Sequence, residues 1–162
     1  MERDCILLAM NPTNLIRSTV NNPDFKLLAS HLDRELAIID GEDHAFFAQY
    51  NQTDAVQYVI VAYLEGSPVA CGGLKSFDPR TLEVKRMYTI PSARGMGIAS
   101  DILYHLETWA KELGYHRCIL ETGIKQPDAM RLYDKNHYSR IPNYGPYIHQ
   151  PLSACFEKML SH

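Results

Sequence analysis

Apolar residues recur along the chain at helical spacing in some segments and at strand spacing in others. Residues 23–39 carry them every three or four positions, which predicts a helix, and residues 98–113 repeat this spacing over the longest amphipathic stretch. Shorter helices are predicted over residues 43–50 and 128–135. Strands are predicted where β-branched, aromatic and other apolar residues gather between turn signals, over residues 5–10, 57–65, 69–77, 81–90, 117–122 and 153–160.

The order of these elements predicts one mixed domain. A strand and two helices come first, then three strands, a helix, a strand, a helix and a last strand. An antiparallel meander therefore precedes a strand–turn–helix–strand unit. A length of 162 residues is typical of one domain, and no linker or repeat divides the chain. The expected fold class is α/β or α+β, with a single domain over residues 1–162.

Charge and composition exclude several classes of protein. Sixteen Lys and Arg against nineteen Asp and Glu give a net charge of −3, whereas binding to nucleic acid through counterion release needs a basic surplus. No apolar run approaches the roughly 18 residues of a membrane span, and the first residues do not resemble a signal peptide. We expect a soluble, cytoplasmic protein with no nucleic-acid or membrane partner.

The cysteines and histidines show no metal-binding or redox pattern. The four cysteines lie far apart without a CxxC pair, and the seven histidines lack HxH and HExxH spacing. We therefore expect buried, reduced thiols and no metal cofactor. The cysteines are Cys5, Cys71, Cys118 and Cys155.

The turn before the long helix carries the clearest chemical signal. Pro91 ends a strand, and Gly95 and Gly97 precede the helix. Such a turn leaves several backbone N–H groups without partners at a helix N-terminus, where the helix dipole favours a phosphate or pyrophosphate. The turn lacks the Lys-Ser/Thr of a P-loop and the third glycine of a dinucleotide-binding fold. A plain helix-entry turn is the alternative at this point.

Three segments, taken in order, resemble the GNAT superfamily of N-acetyltransferases. Arg94, Gly97 and Ala99 match its acyl-CoA-binding pattern, (Arg or Gln)-x-x-Gly-x-(Gly or Ala). Residues 82–91 resemble its fourth strand, and residues 126–135 resemble its AxxLYxx helix. The resemblance implies a mixed, mostly antiparallel sheet with splayed central strands, flanked by helices.

The resemblance implies acetyl-CoA as co-substrate, without a metal. In this family the pantetheine arm of coenzyme A lies beside a bulged fourth strand and pairs with its backbone like an added strand. Backbone amides of the glycine turn hold the pyrophosphate, and the Arg94 side chain lies either near the phosphates or in solvent. The implied cofactor-binding residues are Met87, Tyr88, Thr89, Arg94, Gly95, Met96, Gly97, Ile98, Ala99 and Gln126.

The resemblance also implies direct acetyl transfer to the primary amine of a small molecule in a ternary complex, without an enzyme nucleophile. Glu83 matches a strand-four glutamate that acts as base in some members; the alternative is a structural ion pair with Lys85 or Arg117. Tyr133 matches the tyrosine that protonates the leaving thiolate; the alternative is a core tyrosine. The backbone N–H of Met87 would donate to the oxyanion.

The acceptor is not determined by the resemblance. Candidate pocket residues come from the first helical region and from the loop at residues 142–147, although both sets have ordinary structural alternatives. A non-catalytic acyl-CoA-binding module and a nucleotide-phosphate binder are rival functions. Related enzymes are often homodimers, but no feature of the sequence requires one. The candidate acceptor residues are Glu35, Asp40, Asp43, His44, Tyr144 and Tyr147.

Overall fold

The computed structural model describes residues 13–161, which form four α-helices and seven strands. The helices are α1 (Pro23–Asp40), α2 (His44–Ala48), α3 (Ile98–Glu112) and α4 (Pro127–Lys135). The strands are β1 (Asn14–Ser18), β2 (Tyr58–Leu64), β3 (Ser67–Asp78), β4 (Thr81–Thr89), β5 (Arg117–Gly123), β6 (Ser139–Ile141) and β7 (Ser153–Met159).

Two strands depart from the sequence-based expectation, and the other elements are present within a few residues of it. The first described strand, β1, lies at Asn14–Ser18, whereas the strand predicted over residues 5–10 lies outside the described residues. The short strand β6, at Ser139–Ile141, was not predicted. It spans three residues and pairs with β7 alone, which is too short for a period-2 pattern to indicate it.

The seven strands form one sheet in the order β1-β2-β3-β4-β5-β7-β6. All neighbouring strands are antiparallel except β4 and β5, which are parallel. Successive side chains of a strand point to opposite faces, and β2 shows this directly. Ile60 and Ala62 pack in the cluster that includes α3, whereas Val59 and Val61 pack in the cluster that includes α1. The predicted mixed fold is confirmed, with helices on both faces.

Helix α1 has well-defined ends, which fix the position of its last residue. At its N-terminus, the Asn22 side chain accepts hydrogen bonds from the N–H groups of Asp24 and Phe25. At its C-terminus, Gly41 has a φ of +54°, a conformation that favours glycine. The last helical residue, Asp40, is buried. None of the helices within residues 13–161 has the length and apolar character needed to cross a bilayer.

Candidate active site

Strands β4 and β5 separate in the middle of the sheet. They pair only over residues 81–83 of β4. Beyond this point the register between β3 and β4 shifts, so that Arg86 and Met87 lie opposite the single residue Gly72. Arg86 adopts a left-handed backbone conformation with a φ of +59°, as the first residue of a bulge can. The bulged and splayed fourth strand implied by the resemblance is confirmed.

Gly72 leaves the space that the bulge occupies. A Cβ atom added there would overlap the sulfur of Met87 and would lie 2.9 Å from Cγ2 of Ile102 in α3. Because Met87 lines both cavities described below, the absence of a side chain at Gly72 helps to set the shape of the site.

A cavity of about 580 Å³, here called the larger cavity, runs from the splayed strands to the N-terminus of α3. Its lining contains all but one of the residues that the resemblance implies for the cofactor. The exception is Met96, which is not part of the lining and whose surface is 39% exposed. The implied residues that do line it are Met87, Tyr88, Thr89, Arg94, Gly95, Gly97, Ile98, Ala99 and Gln126.

Backbone N–H groups without partners gather at one end of the larger cavity. Gly95 and Gly97 have φ values of +79° and +80°, respectively, which turns the chain into α3. Among the described residues, no protein acceptor receives a hydrogen bond from the backbone N–H groups of residues 95–100; the first such bond in α3 runs from Asp101 N to Gly97 O. Together with the helix dipole, this arrangement suits a diphosphate. Lys125 and Lys135 also line the cavity.

The Arg94 side chain is held by an ion pair within the protein. Its NH2 group donates to both carboxylate oxygens of Glu35 in α1, at 3.0 and 2.9 Å, and its Nε donates to Thr89 O at 2.9 Å. Both ends of the ion pair line the larger cavity. Arg94 and Glu35 therefore connect the glycine turn to α1 beside the larger cavity.

A second cavity of about 100 Å³, here called the smaller cavity, shares Met87 and Tyr133 with the lining of the larger one. Leu32, Gln126 and Ala129 line both cavities, as do Met87 and Tyr133. Polar and charged side chains make up about half of the lining of the smaller cavity, so the site suits a small polar ligand. Its remaining lining residues are Leu36, Asp40, Phe47, Asn51, Val84, Lys85, Arg86, Glu121, Thr122 and Gly123.

Tyr133 lies at the boundary between the two cavities. It projects from α4, only 6% of its surface is exposed, and its ring packs at 5.8 Å from that of Tyr138 and 6.0 Å from that of Phe156. No hydrogen bond to its hydroxyl occurs among the described residues. Burial raises the pKa of this phenol well above its ordinary value, so it stays protonated.

Glu83 is buried beneath this region and does not line either cavity. Its carboxylate accepts a hydrogen bond from the hydroxyl of Tyr144 and lies 3.7 Å from Lys85 Nζ. Lys85 Nζ in turn donates to Tyr50 O at 2.9 Å and to Tyr147 Oη at 3.3 Å. The ion pair with Lys85 that the sequence left open is present, and the 142–147 loop covers it. Burial lowers the pKa of Lys85.

Glu121 is a carboxylate in the smaller cavity that the sequence reading missed. It lies on β5, just beyond the point where β4 and β5 separate, and accepts a hydrogen bond of 2.7 Å from Ser153 Oγ. The pKa of Glu121 is raised to about 7, mainly by burial; the Ser153 hydrogen bond and the charge of Lys85 lower this pKa, whereas the negative charges of Glu83 and Asp40 raise it. The signal in the sequence was a single acid that directly follows the apolar run Cys118–Leu120 of β5.

The candidate acceptor residues do not line one common cavity. Asp40 lines the smaller cavity and Glu35 lines the larger one. Asp43 lines neither and lies 3.5 Å from Lys125 Nζ. Tyr144 and Tyr147 also line neither; they pack edge to face, with ring centroids 5.8 Å apart, over Lys85 and Glu83. The remaining candidate, His44, lies beside Asp40, with 4.0 Å between Nδ1 and the carboxylate.

None of the described cysteines lines either cavity. Cys71, Cys118 and Cys155 are free and buried, as expected, and burial raises their pKa values to about 12, 12 and 11, respectively. Within residues 13–161 no group of three or more His, Cys, Asp or Glu side chains is arranged to hold a metal ion. The fourth cysteine, Cys5, lies outside the described residues.

Comparison with known proteins gives the same assignment from sequence and from structure. An IAA acetyltransferase of Azospirillum brasilense is 36% identical over 102 residues, which are 62% of this chain and 67% of that protein. The uncharacterized N-acetyltransferase YjgM of Escherichia coli is 30% identical over 112 residues, 67% of this chain and 66% of the relative. The matched part thus spans about two thirds of the length of these relatives.

A crystal structure from Klebsiella pneumoniae, of a protein assigned to the acyl-CoA N-acyltransferases, superposes with a TM-score of 0.77 at 27% identity, over 92% of this chain and 98% of that one. The sequence model of the acetyltransferase (GNAT) family matches residues 26–138. This range includes the bulge in β4, the glycine turn before α3, and Tyr133. The chain therefore belongs to the GNAT family of acetyltransferases.

Proposed function

We propose that this protein transfers the acetyl group of acetyl-CoA to the primary amine of a small molecule, by direct attack in a ternary complex. The observation that carries the proposal is the position of Tyr133, a protonated phenol that lines both cavities. A thioester reaching in from the larger cavity and an amine held in the smaller one would meet beside this hydroxyl.

The lining of the larger cavity supports the proposed binding of coenzyme A. The free N–H groups of residues 95–100 would hold the diphosphate, and Lys125 and Lys135 would add positive charge nearby. The edge of β4 at Met87, Tyr88 and Thr89 is not paired with β5, so it is available to pair with the pantetheine amides. The Gln126 side chain lies at the boundary with the smaller cavity and can bind the same arm.

The reaction needs a base, an oxyanion donor and an acid, and the chain supplies a candidate for each. The base takes a proton from the ammonium, and the free amine then attacks the thioester carbon. The C–N bond forms and the charge that develops on oxygen is held by the N–H of Met87. As the C–S bond breaks, Tyr133 gives its proton to the thiolate and recovers one from the nitrogen of the new amide.

Two carboxylates compete for the role of base. Glu83 is the residue that the resemblance implies, but it is covered by Tyr144 and lies outside the cavity lining. Glu121 lines the smaller cavity, and a pKa of about 7 suits a group that must accept a proton at neutral pH. We therefore assign contact with the amine to Glu121. Glu83 acts as a positioning residue, holding Lys85 and contributing the charge that keeps the pKa of Glu121 high.

The test combines binding with turnover. Thermal shift with acetyl-CoA establishes binding, and release of free thiol is then measured against a panel of small amines. Tyr133→Phe, Glu121→Gln and Glu83→Gln are compared with the wild type. We expect turnover with at least one amine, and we expect Glu121→Gln to lose more activity than Glu83→Gln at saturating acceptor. Binding of acetyl-CoA without turnover on any amine would instead indicate a non-catalytic acyl-CoA-binding module.

A further inference from the structure

Asp40 is a buried carboxylate that lacks a hydrogen-bonded partner. Only 6% of its surface is exposed, and it lines the smaller cavity. Within residues 13–161 no hydrogen bond to its oxygens is found; His44 Nδ1 lies 4.0 Å from Oδ2, which is beyond hydrogen-bond range. That nitrogen is itself buried without a hydrogen-bond partner. A buried carboxylate in this state is costly unless something pairs with it.

The position of Asp40 increases this cost. It is the last residue of α1, where the carbonyl groups at the end of the helix create a partial negative charge that repels an anion. Burial is the main cause of the raised pKa of Asp40; the charges of His44 and Lys125 lower this pKa, and the charge of Asp43 raises it. The Lys125 ammonium lies 3.5 Å from Asp43 and makes no ion pair with Asp40 among the described residues. Asp40 therefore favours a positive charge in the cavity beside it.

Both cationic side chains of the smaller cavity already have acidic partners, although Nε of Arg86 is buried without a hydrogen-bond partner. Lys85 is held by Glu83, Tyr50 and Tyr147, as described above. The buried guanidinium of Arg86 donates to two backbone carbonyl oxygens, at 2.8 and 2.9 Å, and to Asp33 Oδ1 at 2.7 Å. Neither side chain lies within ion-pair distance of Asp40 or Glu121. These two carboxylates are thus the groups in the lining that a bound cation can reach.

From this arrangement we infer that the acceptor is a short aliphatic diamine, with its reacting amine at Glu121 and its second ammonium at Asp40. The inference rests on the proposed function, which it extends by naming the class of acceptor. The volume of about 100 Å³ restricts the acceptor to a small molecule, and rotation about the bonds of a methylene chain lets its two ends reach two separate acids. Binding would pair both acids at once, which a monoamine cannot do.

The test compares acceptors that differ only in the second charge. Release of free thiol from acetyl-CoA is measured with 1,4-diaminobutane and with butylamine, for the wild type and for Asp40→Asn. The matched control is Asp43→Asn, which removes a neighbouring acid that does not line the cavity. We expect a preference for the diamine of about tenfold or more in kcat/KM, as one charge-assisted contact provides. Asp40→Asn should abolish the preference through KM, and Asp43→Asn should keep it.

Calorimetric titration of both amines into the CoA-saturated protein separates this inference from the proposed function. If neither amine is acetylated, the binding data decide: tighter binding of the diamine that Asp40→Asn removes supports the inference, even though turnover has failed. Equal affinity for the two amines, no binding of either amine, or a diamine preference that survives in Asp40→Asn would overturn it. Turnover of butylamine at the same kcat/KM would overturn it while leaving the proposed function intact.

Discussion

Burial raises the pKa of the Glu121 carboxyl from an ordinary value of 4.5 to about 7, so the folded protein retains a proton that the unfolded chain releases between these two pH values. Across that window the native state binds more protons than the unfolded state, and the free energy of unfolding therefore falls as the pH rises. The two pKa values differ by about 2.5, and one pKa unit corresponds to about 1.4 kcal/mol. The free energy of unfolding therefore falls by roughly 3 kcal/mol, and the fall is complete above pH 7.

The substitution Glu121→Gln should remove this pH-dependent fall in the free energy of unfolding. The amide keeps the shape of the side chain and an acceptor for Ser153 Oγ, but it cannot ionise. Urea unfolding followed by circular dichroism should give the same free energy for variant and wild type near pH 4. At pH 8 the variant should be more stable by up to about 3 kcal/mol. Glu42→Gln, at an exposed acid, should follow the wild type at both pH values.

The same substitution should reduce catalysis. Removing a general base lowers kcat by about 10²- to 10⁴-fold, and the rise of wild-type activity around pH 7 should disappear from the variant. At pH 8 the Glu121→Gln variant would then be more stable but less active than the wild type, as expected where a charge is buried for function. A stability difference that is the same at pH 4 and pH 8 would refute the buried-charge reasoning, and a fully active Glu121→Gln would refute the role as base.

Three further predictions concern the boundary residue, the coenzyme turn and the bulge. Tyr133→Phe should lower kcat by at least about 10²-fold while leaving the thermal shift with acetyl-CoA unchanged; an equally active variant would contradict its role as acid. Glu35→Gln should free Arg94 for the phosphates and tighten CoA binding up to about fivefold at low salt, given ~1 kcal/mol for an exposed ion pair, with weaker binding as the contrary result. Gly72→Ala should displace Met87 and cost about 1–3 kcal/mol of stability in urea unfolding, and a neutral effect would contradict the tight packing at the bulge.

The parts of the site that the sequence predicted are those encoded by local motifs. The glycine turn and helix α4, which contains the AxxLYxx pattern, each lie within about ten consecutive residues. Their local pattern was therefore enough to predict both their structure and the family resemblance. The bulge at Arg86 followed from the resemblance, since no local pattern distinguishes that residue from its neighbours in β4. These segments line the larger cavity together because α3 and α4 both follow the splayed strands.

The acceptor side could not be predicted because it depends on contacts between distant residues. Glu121 and Asp40 are separated by about eighty positions, and an acid in a strand or at a helix end is common. They become neighbours of one cavity only because β4 and β5 separate and α1 ends beside the gap. The position of Glu83 in β4 suggested a role as base. Its partner Tyr144 lies 61 residues further along the chain, so the sequence did not show that Glu83 is covered.

We propose that main-chain N–H groups at the start of α3 hold the diphosphate of the coenzyme. A crystal structure with bound acetyl-CoA tests it directly. We predict diphosphate oxygens within hydrogen-bond distance of the N–H groups of residues 95–100, with the thioester sulfur beside the Tyr133 hydroxyl. A diphosphate bound elsewhere, with these N–H groups still facing solvent, would contradict the account.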